Sequence, residues 1–153
     1  MTPKGAKVGV GGSVTIREIG LVKALVERGN PMADHWRSDL SREELKEVRR
    51  SQPTSEVFLS SSNAVTMDGK LLNADGTGNR VAAMIFGPRK VIIVAGVNKI
   101  VKDVDEGLRR IRNVASPMNA NHLGYKSPCG LTGICAEDTG VNLPKGYVIS
   151  SQF

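Results

Sequence analysis

Three stretches of the chain carry hydrogen-bond donors at spacings that suit a small anion. Gly9-Val10-Gly11-Gly12-Ser13-Val14-Thr15 sets glycines and hydroxyls between an apolar strand, Ala6 to Val10, and an amphipathic helix, Ile16 to Arg28. Glycines let a ligand approach the backbone, and a helix start offers unpaired N–H groups. Asp75-Gly76-Thr77-Gly78-Asn79-Arg80 repeats the theme ahead of the apolar segment Val81 to Phe86. Gly96-Val97-Asn98-Lys99 follows the β-branched run Lys90 to Ala95, at the strand end where open α/β sheets bind ligands. The chemistry expected is the holding of carboxylate or phosphate oxygens. The residues expected to do it are Gly11, Gly12, Ser13, Thr15, Gly76, Thr77, Gly78, Asn79, Arg80, Asn98 and Lys99, with Asn63 from the polar run Ser60-Ser61-Ser62-Asn63.

A plainer reading stands beside this one. The first loop has Val14 where a dinucleotide fingerprint needs its third glycine, and no P-loop lysine follows its glycines. It also reads as a tight strand-to-helix turn, with Thr15 as N-cap and Glu18 completing a capping box. Glu18 is the one motif carboxylate placed to act as a base, or it caps the helix. Arg80 falls in a first helical turn, where a cation opposes the dipole. That placement suits a ligand anion or a nearby Asp or Glu. Lys99 is a ligand cation or an exposed lysine, and the Ser60–Asn63 run is a site edge or a half-buried strand.

The elements that must position these residues follow from periodicity. Ile16, Ile19, Val22, Leu25 and Val26 share one helix face, with Gly29 as its stop and Pro31 beyond. Residues 30–40 read as a loop in which His35 is a solvated or packed residue and Trp36 a packing anchor. Ser41-Arg42-Glu43-Glu44 is a capping box for a helix to about Arg50, ended by Pro53. Val57-Phe58-Leu59 leads a strand, and Asp68-Gly69 turns a hairpin between 64–66 and 70–73. Thr77 or Asn79 caps the helix from Val81. Lys90 to Ala95 is the pattern of a parallel strand covered on both faces. Residues 103–115 form a helix with acids first and Arg109, Arg110 and Arg112 late, which Pro117 ends or kinks. Lys145 to Ser150 supplies a last strand. The alternation predicts one α/β domain with a largely parallel sheet and flanking helices.

Composition bounds the function. The 153 residues suit a single domain, and 40% hydrophobic residues can fill one core. A net charge of +6 is spread out rather than clustered, and three Phe, two Tyr and one Trp leave little for base stacking, so no nucleic-acid role is expected. No apolar run reaches the roughly 20 residues of a membrane span, and Met1-Thr2-Pro3-Lys4-Gly5 lacks a secretory h-region. A soluble cytoplasmic protein is expected. Cys129 and Cys135, with five residues between them, do not make a zinc knuckle, and no metal site or cofactor is assigned.

In combination these residues resemble the lactate-utilisation (LUD) domain family, in its LutC-type form. The resemblance is carried by Val8 to Thr15 with Arg17-Glu18-Ile19-Gly20, by Ser62-Asn63-Ala64-Val65-Thr66, and by Asp75 to Ala83. Phe86-Gly87-Pro88, Val97 to Lys102, Ala115 to Ala120 and the stretch from Ser127-Pro128-Cys129 to Cys135 continue it in the same order. It implies a fold similar to the sugar-phosphate isomerase and CoA-transferase superfamily. It also implies a role in oxidising L-lactate to pyruvate beside iron-sulphur partner subunits. Within that role the subunit binds a ligand at its glycine loops, serves as a non-catalytic assembly module, or is an isomerase- or CoA-transferase-like enzyme. Two departures from the family pattern are the lack of a helical segment ahead of the first strand and of further cysteines where Ala136-Glu137-Asp138-Thr139-Gly140 stand. They imply a shortened chain, no cysteine-ligated cluster, and exposed apolar surface that favours homo-oligomers.

Overall fold

In the computed structural model of the chain, residues 2–133 and 147–150 are described. The order of elements is β1 (Val8–Val10), α1 (Val14–Glu18), α2 (Leu21–Glu27), β2 (Met32–Asp34), α3 (Arg42–Ser51), β3 (Val57–Ser60), β4 (Ala64–Thr66), β5 (Leu71–Ala74), α4 (Asn79–Ile85) and β6 (Lys90–Ile93). A 3-10 turn (Val97–Lys99), β7 (Ile100–Val101), α5 (Val104–Arg110), a π-helical stretch (Ile111–Ala115), α6 (Ser116–His122), α7 (Pro128–Thr132) and β8 (Tyr147–Ser150) follow. The chain divides into two compact units, one made of residues up to Ser61 plus Gly78–Ala95, the other of Ser62–Thr77 and everything from Gly96.

The first unit is an α/β sandwich around a wholly parallel sheet in the order β2-β1-β3-β6. Alternation along the strands gives each face its own core. Val8, Val10, Val57 and Leu59 point to the side of Ile16 and Leu25, with Leu21, Val22, Met32, Ile92 and Val94 around them. Phe58 points the other way, onto Ala83 and Met84 of α4, flanked by Val91 and Ile93. Each fully buried Val, Leu or Phe here contributes roughly 1.5–3 kcal/mol. Gly9 sits between Val8 and Val10 on the Phe58 face. A Cβ there would stand 2.9 Å from Phe58 Cδ2 and Ser55 Oγ, and 3.1 Å from the Gln52 carbonyl oxygen. A bare strand position is what lets the end of α3 lie against the sheet.

The local capping differs from the sequence reading in several places. Helix Ile16–Arg28 is two helices, because Gly20 takes φ +70° and breaks it. The N-cap of α1 is Ser13, whose Oγ accepts the Ile16 N–H at 3.3 Å, and Glu18 is the last residue of α1, so the Thr15–Glu18 capping box does not form. The turn begins two residues earlier because the chain must bend as soon as it leaves β1. With the break, Ile19 and Val26 leave the buried face and are more than half exposed. Gly29, at φ +82°, stops α2 as expected. The segment read as a loop contains β2, which pairs Met32, Ala33 and Asp34 with β1. The Ser41–Glu44 capping box is present in full. Neither Thr77 nor Asn79 caps α4; the N-cap is Gly78 at φ +89°, with no side-chain bond. β6 is half-buried rather than covered on both faces, since it ends the sheet.

The second unit holds a mixed sheet, β7-β4-β5-β8. The β4–β5 hairpin turns at Gly69 (φ +88°), where Asp68 accepts from Thr66 and Lys70. β8 pairs antiparallel with β5, and β7 runs parallel to β4. Ala64, Leu72, Val101 and Ile111 form its core, with Val104 and Leu108 packed on them. Asp103 caps α5 through the Glu106 N–H. Pro117 does not end the helix that follows. The backbone widens to a π-helix over Ile111–Ala115, the Ser116 N–H reaching back to the Ile111 carbonyl, and α6 continues through the proline. Widening removes the clash that a proline ring makes with the carbonyl one turn earlier.

Candidate functional site

The chain runs from β1 by α1 and α2 to β2 on one side, and from β3 by way of α4 to β6 on the other. The connections of the adjacent strands β1 and β3 therefore lead in opposite directions. In open parallel sheets the crevice outside the carboxyl ends of such a strand pair is the ligand position. Gly11 and Gly12 leave β1 at that point, and Ser60 and Ser61 lie where β3 ends.

The close approach there depends on the glycines. Gly11 donates its N–H to the Leu59 carbonyl at 2.9 Å. A Cβ on it would stand 2.7 Å from Ser60 Oγ and 3.1 Å from Arg80 Cγ. The Arg80 stem thus lies on the glycine, while its Nη1 donates to the Ser61 carbonyl at 3.0 Å. A Cβ on Gly12 would stand 2.9 Å from Trp36 Nε1 and 3.2 Å from His35 Nε2. Ser13 is buried with its Oγ engaged as the N-cap, and Thr15 is half-buried. Glu18 is exposed at the far end of α1. At five residues, α1 has little macrodipole to offer an anion, so the loop backbone and side chains carry the site.

Two clusters hold this edge together, and sequence reading found neither. Arg17 Nη2 donates to both carboxylate oxygens of buried Asp34 at 2.7 Å, and Asp34 Oδ1 accepts the Trp36 N–H at 3.0 Å. The guanidinium also lies over the Trp36 ring, 4.8 Å from its centroid. His35 meets Trp36 edge-on, with ring centroids 6.5 Å apart. The second cluster centres on Gln52, which is fully buried just after α3. Its Nε2 lies 2.6 Å from the Val10 carbonyl, 3.2 Å from the Ala33 carbonyl and 2.8 Å from His35 Nδ1. Its Oε1 accepts from Asn79 Nδ2 at 2.8 Å. The backbone partners come from β1 and β2 and the side-chain partners from the segment after β2 and the start of α4. An i, i+3 pattern search cannot see a bond that spans 42 residues.

Of the expected ligand residues, the first unit contains Gly11, Gly12, Ser13, Thr15, Gly78, Asn79 and Arg80, of which Arg80 packs on Gly11. Asn63, Gly76, Thr77, Asn98 and Lys99 belong to the second unit. There Asn63 Oδ1 accepts the Ala74 N–H at 3.0 Å, Asp75 Oδ1 accepts the Thr77 N–H at 3.3 Å, and Gly76 and Thr77 are exposed. Arg110 joins two of the expected positions, donating to the Asn63 carbonyl and, at 3.2 Å, to the Asn98 carbonyl. Burial lowers this guanidinium from its ordinary value. An open groove of about 410 Å³ runs past Asn98, Ile100, Arg109 and Arg110. Cys129 is half-buried in α7 with its Sγ 3.3 Å from Ser127 Oγ, and Cys135 lies outside the described residues.

The architecture is that of an α/β protein with a glycine loop at the carboxyl edge of a parallel sheet. A family model for the LUD domain matches residues 1–145, and the chain belongs to that family. No curated protein matches the chain. Among solved structures, it is similar to the crystal structure of eIF2B delta from Chaetomium thermophilum, at 19% identity and a TM-score of 0.38. That match covers 70% of this chain and 46% of the other, so the chain spans less than half the length of that structure. Among the described residues no helix is long and apolar enough to cross a membrane.

Proposed function

We propose that the chain is a LutC-type subunit of L-lactate oxidation that binds a small anion, such as the carboxylate of lactate or pyruvate, at its Gly11–Ser13 loop. The observation that carries this reading is the reversal of connection direction between β1 and β3, which falls at Gly11 with Arg80 packed on it. Arg80 supplies the cation, and a charge-assisted bond from a guanidinium to a carboxylate is among the stronger recognition contacts. Asn98 and Lys99 stand as separate ligand candidates within the second unit. The subunit acts beside iron-sulphur partner subunits in the cytoplasm.

A thermal-shift panel tests the reading with L-lactate, pyruvate, sugar phosphates, CoA and nicotinamide dinucleotides. A ligand at about 100 times its Kd adds roughly 2.7 kcal/mol of stability. One ligand should raise Tm in the native chain and not in Arg80→Ala. A cooperatively folded chain that responds to none of them rejects the ligand reading. The assembly-module reading has its own support in Ile85 and Phe86, which stand 60% and 85% exposed at the end of α4. It predicts co-purification with iron-sulphur subunits that Phe86→Ser weakens.

A further inference from the structure

We propose that the second unit holds an anion site of its own, in the groove lined by Asn98, Arg109, Arg110 and Asn113, for a carboxylate or phosphate that carries a short apolar group. Every residue lining this groove belongs to the second unit, and none is shared with the site proposed at Gly11–Ser13.

The helix dipole does not explain the two arginines. Late arginines suit a helix that stops soon after them, because the dipole acts within the last turn. Here α5 passes into the π-helical stretch and on through α6 to His122, so Arg109 and Arg110 stand in the middle of a helical run. An acid does not explain them either. Glu106 precedes Arg110 by four residues, the spacing of a helical ion pair. Its Oε2 instead accepts the Lys102 N–H at 2.6 Å, and Arg110 has no ion pair among the described residues. Arg109 is exposed, with neither a hydrogen bond nor an ion pair among them.

Arg110 is held in place while its charge stays uncompensated. Its Nε donates to the Asn98 carbonyl at 3.2 Å and its Nη1 to the Asn63 carbonyl. A guanidinium has five N–H bonds, so the Nη2 pair and one on Nη1 remain. Carbonyls aim the fork without neutralising it, and an anion paired with a half-buried cation offsets the cost of its burial. The groove, about 410 Å³, is the size of a small-ligand site. Asn98 and Asn113 add exposed amides whose side chains have no partner among the described residues. Asn113 and Val114 belong to the π-helical stretch, a feature frequent at functional sites. Ile100 and Val114, 55% and 40% exposed, give the groove an apolar wall. Glu106 lines it too, so two arginines stand against one glutamate. That balance suits one acidic head with an apolar body rather than a polyphosphate.

The test is a nitrogen-15 NMR titration of the full chain with inorganic phosphate, butyrate and monobutyl phosphate. The side-chain amides of Asn98 and Asn113 report on the groove, and the backbone amides of Gly11, Gly12 and Ser13 on the other site. Butyrate or monobutyl phosphate should move the groove amides. Monobutyl phosphate should bind about tenfold more tightly than inorganic phosphate, the worth of about two buried methylenes. Arg109→Gln removes a cation that the fold does not use and should weaken binding about tenfold, as for a lost bond to a charged group. Arg110→Gln should weaken it more, and Arg110→Lys, a charge without the fork, should restore only part. Lys4→Gln, exposed in the first unit, makes the same change in net charge and should leave groove binding as it was. Equal weakening by Lys4→Gln and Arg109→Gln assigns the attraction to net charge and overturns the proposal. Undiminished binding in Arg109→Gln also overturns it, and decides alone if Arg110→Gln does not fold. Monobutyl phosphate no tighter than inorganic phosphate rejects the apolar wall and with it the ligand class. Groove amides that stay still under all three probes reject the site, and movement of the Gly11–Ser13 amides would then leave the other site standing.

Discussion

Gln52 Nε2 lies 2.8 Å from His35 Nδ1 while it donates to the carbonyls of β1 and β2. One buried amide thus closes the ends of two strands and sets the ring beside the glycine loop. Replacing it by leucine leaves the Val10 carbonyl, the His35 ring and the Asn79 amide without their partner. Gln52→Leu should cost about 2–4 kcal/mol in denaturant unfolding, since each orphaned buried polar group costs roughly 1–3 kcal/mol. A loss below about 0.5 kcal/mol, the scatter of a surface substitution, would show that the amide carries no such load.

Two glycines differ in why they must be glycine. Gly12 has an ordinary φ, but its Cβ would press on Trp36 Nε1 and His35 Nε2. Gly20 has open space around it and φ +70°. Gly12→Ala should cost about 1–3 kcal/mol through overpacking and perturb the fluorescence of Trp36, the one tryptophan in the chain. Gly20→Ala should cost about 1 kcal/mol through backbone strain and leave Trp36 unchanged. Equal emission spectra for the two variants would contradict the packing at Gly12.

Arg17 both neutralises Asp34 and covers Trp36. Asp34 is buried and Arg17 about a third exposed, so the full cost of breaking a buried pair is reduced by solvent. Arg17→Met should cost about 1–3 kcal/mol and alter the Trp36 emission maximum. Asp34→Asn, which keeps an acceptor for the Trp36 N–H, should cost less than Arg17→Met. The reverse order would mean that the Asp34 carboxylate matters more than the contact of Arg17 with the ring.

Glu44 gives a pH dependence with a definite sign. Its hydrogen bonds to Ser41 hold its carboxyl below the ordinary carboxylate range. A group whose folded value is depressed adds stability above its unfolded value, about pH 4, and loses it as pH falls through the folded value. Amide exchange at the start of α3 should therefore speed up in acid beyond the intrinsic trend. Glu44→Gln, which can still accept the Ser41 N–H but does not ionise, should flatten that response. A wild-type profile identical to that of Glu44→Gln would remove the carboxylate from the cap.

What the sequence made legible was local. Ser41 with Glu44, Asp68 with Gly69, and Gly29 after α2 are rules that act within four residues, and each acts as expected. The parallel sheet was legible because Val57–Leu59 and Lys90–Ile93 are apolar runs bounded by turns. The first glycine loop and Arg80 were visible as a glycine run and a first-turn cation. Their meeting at Gly11 was not, because it depends on strand order. His35 and Trp36 lay in a stretch whose strand is three residues long and ends in Asp34, too short for alternation to register. Gln52 was invisible because its partners are 17 to 42 residues away. Pro117 misled because a helix has a second way to pass a proline, and periodicity alone cannot tell a π-turn from a break.

The division into units has a consequence for synthesis. The chain leaves the first unit after Ser61 and returns to it at Gly78, so neither unit is one continuous stretch. During translation β1, β2 and β3 exist before β6 is made, and the β3 edge stays unpaired until Lys90–Ile93 has emerged. The nascent chain thus carries an open sheet edge through the making of the β4–β5 hairpin. An exposed edge invites pairing with other chains. A stop codon placed before residue 90 is therefore expected to give insoluble protein rather than a smaller folded unit.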